Sequence, residues 1–170
     1  MSVKDFVQQR RDALIAMRRD FHMYPEPAWL EYRSAAKVAD RLISLGYDVA
    51  LGADVLDLDS RMGLPSDEVM KAAMDRAIKE GANPELVEKM GYGKTAIVAT
   101  MKFGGEGPVV AFRVDMDSND VIEAKEDSHV PTKEGFRSCH DKAMHACGHD
   151  AHMTMGLGLA EYLAAHKDEF

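Results

Sequence analysis

Cysteine, tryptophan and aromatic residues are scarce in this sequence of 170 residues, which has two Cys, one Trp and 7% aromatics. Two cysteines, Cys139 and Cys147, cannot staple a disulfide scaffold, and they fit a reducing cytoplasm. No apolar run approaches the ~20 residues that cross a bilayer, and the charged N-terminus lacks a secretory leader's profile. Basic excess is missing too: 21 Lys and Arg face 29 Asp and Glu, for a net charge of −8. That balance is wrong for general nucleic-acid binding, which needs cations against the phosphate backbone. Membrane and nucleic acid are therefore not expected partners. No internal repeat or low-complexity tract is present. What remains is 46% hydrophobic and 29% charged, ordinary for one globular domain with a sizeable core.

Apolar spacing predicts an amphipathic helix over 3–21, ended by Pro25 and Pro27, and a second over 31–45, closed by Gly46. Residues 47–51 read as a short strand. Segment 52–92 reads as a helical insertion: Ser66 with Asp67 and Glu68 opens one helix, and Asn83-Pro84 opens another. It has too few apolar residues for a core of its own. Residues 95–101 and 108–114 are the strongest strand candidates, and the glycine-rich 104–107 between them predicts an antiparallel hairpin. Trp29 is expected in the core. A last helix is expected from about Ala151. Together these elements predict an α/β fold, a three-layer α/β/α sandwich with a mixed sheet.

Chemistry concentrates in two places. Between Met144 and His152 lie His145, Cys147, His149, Asp150 and His152, at the mouth of the last helix. Cys147 and His149 stand two apart across Gly148, a spacing that lets both side chains face one side of a bent turn. Thiolate and imidazole suit Zn²⁺, and imidazole also suits Mn²⁺. Asp150 could fix an imidazole tautomer. The second place is Arg113-Val114-Asp115-Met116-Asp117, at the end of the predicted strand, where carboxylates can orient a ligand or bridge metals.

These pieces, with Arg19-Asp20-Phe21-His22, Pro25-Glu26 and Glu31, resemble in order and spacing the M20 metallopeptidase/amidohydrolase family. The resemblance is strongest to its aminoacylase-like branch, which carries a cysteine in its metal motif, and it covers essentially the whole chain. It implies a catalytic domain holding one or two divalent ions, commonly Zn²⁺ or Mn²⁺, that hydrolyses the amide bond of N-acylated amino acids. By position, Cys147 and His149 match the first two metal ligands, and Asp115 matches the aspartate that orients the metal site. Arg113 stands where other branches place a histidine ligand. Asp117, His145, Asp150 and His152 are supporting or substrate-side candidates. Ser118-Asn119-Asp120 departs from the Ala-Leu that relatives tend to carry after Asp117.

The family's general-base glutamate, its later ligands and its lid or dimerisation domain would all fall beyond position 170. The expectation is therefore the N-terminal part of a longer cytoplasmic enzyme, inactive alone, forming homo-oligomers or pairing with a second hydrolase subunit. The alternative is a non-catalytic metal-binding or subunit-interaction piece. A reactive-thiol protein is a third reading, but Cys139 and Cys147 lack the Cys-x-x-Cys arrangement.

Overall fold

A computed structural model describes residues 1–170. Helix α1, Val3–Met23, starts under the Ser2 side chain, which accepts the Asp5 N–H. Helix α2, Tyr32–Ser44, has no cap from the residue before it. Its first turn is met instead by the fully buried Glu26, whose two carboxylate oxygens accept the N–H groups of Arg33 (2.9 Å) and Ser34 (2.7 Å). A carboxylate placed there satisfies donors with no partner inside the helix and complements the helix dipole. Strand β1, Asp48–Leu51, follows. Helices α3, Asp67–Lys79, and α4, Pro84–Lys89, are capped by Ser66 and Asn83 as the sequence predicts. Strand β2, Ile97–Thr100, then pairs antiparallel with β1, in register from Asp48–Thr100 to Leu51–Ile97. A single turn, α5, Val130–Lys133, and a long α6, His149–Ala165, complete the chain.

Helices α3 and α4, within the segment 52–92 read as an insertion lacking a core of its own, pack into the core of the rest. Met70, Ala73, Met74, Ala77, Leu86, Val87 and Met90 close over Tyr32, Ala35, Ala36 and Ala39 of α2 as one core cluster. A smaller cluster, Phe21 with Met153 and Leu157, joins α1 to α6. That joint is reinforced where Glu161 of α6 takes Arg10 of α1 (2.9 Å) and Arg41 of α2 (2.7 Å).

Three expectations need correction. The hairpin does not form: β2 pairs backwards with β1, and residues 108–114 are not a strand. Val109 is 99% exposed, with Val110 and Phe112 also exposed, because the chain supplies no neighbour to accept their backbone hydrogen bonds. Consequently the sheet has two strands, both antiparallel, and neither a mixed sheet nor a third layer is seen in this chain. Trp29 is not in the core. It sits half-buried at φ +66°, and its indole N–H donates to the Met62 carbonyl at 2.9 Å.

Glu31 is buried beside this core, accepting the Thr95 hydroxyl at 2.7 Å. Burial pushes its carboxyl from 4.5 up to about 7. An acid whose pKa rises on folding stabilises the fold fully below its unfolded value and loses that contribution as pH rises through the folded one. Across pH 4.5 to about 7 the native state is therefore expected to lose on the order of 3 kcal/mol from this group. Glu31→Gln removes the titration, so its stability relative to the wild type should rise between pH 5 and pH 8 in urea unfolding. An equal difference at both pH values would show that the carboxyl does not titrate there.

Candidate metal centre

Helix α6 opens at Gly148, which takes φ +89°, a left-handed value open to glycine at little cost. His149 is therefore the first helical residue, two positions earlier than expected, and its ring is aimed at the end of segment 108–114. Its Nδ1 lies 2.8 Å from the Asp117 carbonyl oxygen and 3.0 Å from that residue's carboxylate. Both can only accept, so Nδ1 carries a hydrogen, and Nε2 is the ring nitrogen left for a metal. That nitrogen faces Asp115 Oδ2 at 3.9 Å, and His152 Nδ1 approaches the same oxygen at 3.8 Å. The rings of His149 and His152 stack with centroids 5.2 Å apart. Donor atoms of Asp115, His149 and His152 all lie within 4.8 Å of one another, a compact set for a divalent ion.

The approach of the two segments depends on Gly156. A Cβ there would sit 2.7 Å from Val114 Cγ2, so any larger residue would push the carboxylate-bearing segment away from α6. Arg113, largely exposed, pairs with Asp115 and is the main influence holding that carboxyl below its usual range.

The other sequence candidates fall elsewhere. Cys147 is exposed and does not join the cluster of Asp115, His149 and His152. His145 is buried with neither ring nitrogen partnered, and burial pushes it down to about 4, so it is neutral. Asp150 points away from the cluster into the protein. Its Oδ2 meets His22 Nδ1 at 2.7 Å and the Arg18 guanidinium at 3.0 Å.

That pairing belongs to a network the sequence reading missed. His22 is buried, and its Nε2 reaches Glu123 Oε1 at 2.9 Å. The same Glu123 oxygen takes His129 Nε2 at 2.8 Å, and its other oxygen accepts the Ser138 N–H at 2.5 Å. Burial alone would lower the His22 imidazole, but hydrogen bonds to Asp150 and Glu123 outweigh it and raise the group. Burial likewise opposes the ionised carboxylates, yet hydrogen bonding holds both Glu123 and Asp150 below their usual range. No local pattern could announce contacts spanning 101 and 128 positions.

Against known proteins, residues 111–170 match peptidase family M20/M25/M40. Indole-3-acetyl-aspartic acid hydrolase of Enterobacter agglomerans is 45% identical over 98% of this chain and 38% of its own length. One of the subunits of p-aminobenzoyl-glutamate hydrolase of Escherichia coli K12 is 46% identical over 95% of this chain and 37% of its own. The crystal structure of an aminobenzoyl-glutamate utilization protein from Klebsiella pneumoniae superposes with a TM-score of 0.78 at 37% identity, covering 98% of this chain and 35% of that one. A dinuclear metal-binding M20 peptidase from Bacillus subtilis gives 0.60 at 25% identity, covering 98% and 33%. The chain thus spans little more than a third of these relatives. No helix is long and apolar enough to cross a membrane.

Breaking a buried ion pair by removing one partner costs about 3–5 kcal/mol, because the other is left unpaired. Glu123→Ala should lower unfolding stability by that order and speed amide exchange across 123–140. A loss within about 0.5 kcal/mol, as for an ordinary surface change, would show that the network does not hold this segment.

Proposed function

Because this chain belongs to peptidase family M20/M25/M40, we propose that it forms the N-terminal part of a metal-dependent amidohydrolase that cleaves N-acylated amino acids. The observation that carries this reading is the meeting of Asp115 with His149, whose Nδ1 hydrogen is fixed by Asp117 so that Nε2 is left to bind a metal. The converging donors Asp115, His149 and His152 suit a Zn²⁺- or Mn²⁺-class ion, and the family resemblance adds Cys147 to His149 as a ligand. Cys147 is exposed two residues from His149, so this reading requires its thiol to turn toward His149 on metal binding. When bound, such an ion supplies Lewis acidity toward an amide carbonyl and acidifies water. The chain's own residues do the positioning. Asp117 sets the His149 tautomer, Arg113 balances the Asp115 charge, and Asp150 anchors the first turn of α6 through His22. His152 stands with Asp115 and His149 in the donor cluster, while His145 is buried beneath the motif.

The two relatives are named for acyl derivatives of aspartate and glutamate, which supports an N-acyl acidic amino acid as substrate, p-aminobenzoyl-glutamate among them. The three-layer sandwich with a mixed sheet is then a property of the complete domain, in which residues 108–114 gain strand partners. The Escherichia coli relative is named as one subunit of its hydrolase, which supports pairing with a second hydrolase subunit; self-association is the other arrangement. The exposed apolar face of 108–114 favours one alternative, a non-catalytic binding piece that meets another chain there.

Calorimetric titration with Zn²⁺ tests the ligand set. His149→Ala and Cys147→Ser should each weaken binding about tenfold or more, the scale of even indirect metal-site changes. Full affinity in Cys147→Ser together with loss in His152→Ala would replace the cysteine by His152 in the site. The isolated chain should not turn over p-aminobenzoyl-glutamate, and addition of the remaining portion of a relative should restore a chelator-sensitive activity. Turnover by this chain alone, abolished by chelator and by Cys147→Ser, would overturn the claim that it is an incomplete enzyme.

A further inference from the structure

We propose that Glu80, Cys139 and His140 form a second divalent-metal site of the zinc class, separate from the motif at the start of α6. Glu80 is the residue on which α3 ends, and Cys139 and His140 lie in the loop between α5 and α6. Backbone contacts hold that loop in place: the Cys139 N–H donates to the Met23 carbonyl at 2.9 Å, and the His140 N–H donates to Ser138 Oγ at 3.1 Å. Ligand atoms of the three side chains all lie within 4.8 Å of one another.

The chemistry of His140 points to a cation between them. Its Nδ1 lies 2.7 Å from the Pro25 carbonyl oxygen, an atom that can only accept, so Nδ1 carries the hydrogen. In the neutral ring Nε2 then presents a lone pair, and it faces Glu80 Oε1 at 2.8 Å. A hydrogen on Nε2 makes that contact an ion pair; a bound metal would take the hydrogen's place. An N–H fixed by a backbone carbonyl on one side and a free nitrogen on the other is how proteins orient a metal-binding histidine. Independently, Glu80 Oε2 is buried with no hydrogen-bond partner, which a buried carboxylate oxygen rarely tolerates.

Charge supports the same occupant. The C-terminal end of α3 is the negative end of its helix dipole and favours a cation. The Arg33 guanidinium donates to the Glu80 carbonyl at 3.0 Å, and Arg76 stands one turn back with buried nitrogens that lack partners. These fixed positive groups favour the thiolate and carboxylate that would bind the ion, against burial and the Glu80 charge, which hold the Cys139 thiol above its usual range until a metal binds. Cys, His and Glu are established zinc ligands at about 2.0–2.3 Å, so tetrahedral donors stand roughly 3.5 Å apart. His140 Nε2 and Glu80 Oε1, 2.8 Å apart, would open by somewhat under an ångström to admit the ion, while the exposed Cys139 thiol closes in from within the 4.8 Å envelope. Because Cys139 faces solvent, water takes the fourth position. The site would clamp the loop ahead of α6 onto the end of α3.

The test uses the 170-residue chain carrying Cys147→Ser, which leaves Cys139 as the sole thiol. Titration with Co²⁺ should give a thiolate-to-cobalt charge-transfer band saturating at one equivalent, lost in Cys147→Ser/Cys139→Ser and weakened about tenfold or more by His140→Asn. Alkylation of Cys139 in the single-thiol protein supplies a measurement that needs no further variant. Zn²⁺ should slow it about tenfold or more, and chelator should restore the rate. Cobalt uptake without the band, with alkylation indifferent to Zn²⁺, would overturn the site and show that a proton satisfies His140 and Glu80. Cys147→Ser is common to every sample, so the comparison reports on Cys139 and His140 alone, and that outcome leaves the reading of the α6 motif to its own variants.

Discussion

The position of His22 between Asp150 and Glu123 is the constraint on which the rest of this structure depends. A buried imidazole with both nitrogens committed to carboxylates cannot move without stranding a charge on either side, and stranded buried charge is among the costliest defects a fold can carry. His22 closes α1, Asp150 opens α6, and Glu123 belongs to the long irregular segment between β2 and α6. One ring therefore ties the irregular segment carrying Glu123 to α1 and α6, which are already joined by Phe21, Met153 and Leu157. The residues holding it are satisfied in turn: Arg18 braces Asp150, while His129 and the Ser138 N–H complete Glu123.

The metal motif inherits its geometry from that tie. Asp150 is fixed, so the first turn of α6 is fixed, and His149 one residue earlier can point only toward Asp115 and Asp117. The carboxylate side is held differently. Ser118 N–H donates to the Glu26 carbonyl at 2.8 Å, and Asn119 pairs with Met144. Upstream of Asp115, however, the chain runs bare from 108 to 114, touching α6 where Val114 meets Gly156.

Much of this was legible in the sequence wherever the determining contact is local. Ser2, Ser66 and Asn83 cap helices whose starts could be read from three adjacent residues, and Gly148 marks the bend that turns the motif into a helix. Strand pairing was not legible, because residues 95–101 and 108–114 carry the pattern of a strand without naming a partner. β1 took β2, and the second run was left over. Trp29 was misplaced for a related reason, since an aromatic beside Leu30 just after Pro25 and Pro27 signals burial while its left-handed backbone turns the ring outward to Met62. Of the site, the sequence showed His149 with Asp115 and Asp117. It could not show that Asp150 turns inward or that Glu80 lies beside His140, because those pairings cross 128 and 60 positions.

The asymmetry between the two sides of the motif bears on how such a site is completed. Histidines on α6 are positioned by a buried charge network that would resist displacement by any incoming ligand. Asp115 is tethered to a segment whose Val109, Val110 and Phe112 remain in water, an arrangement that leaves apolar area to be covered. Strand addition along 108–114 would satisfy its backbone and remove that area from water, at about 25 cal/mol per Å². It would also stiffen the carboxylate side against a histidine side that is already rigid. Covering 108–114 and fixing Asp115 against His149 are thus coupled through Val114, with Gly156 setting how closely the two sides meet.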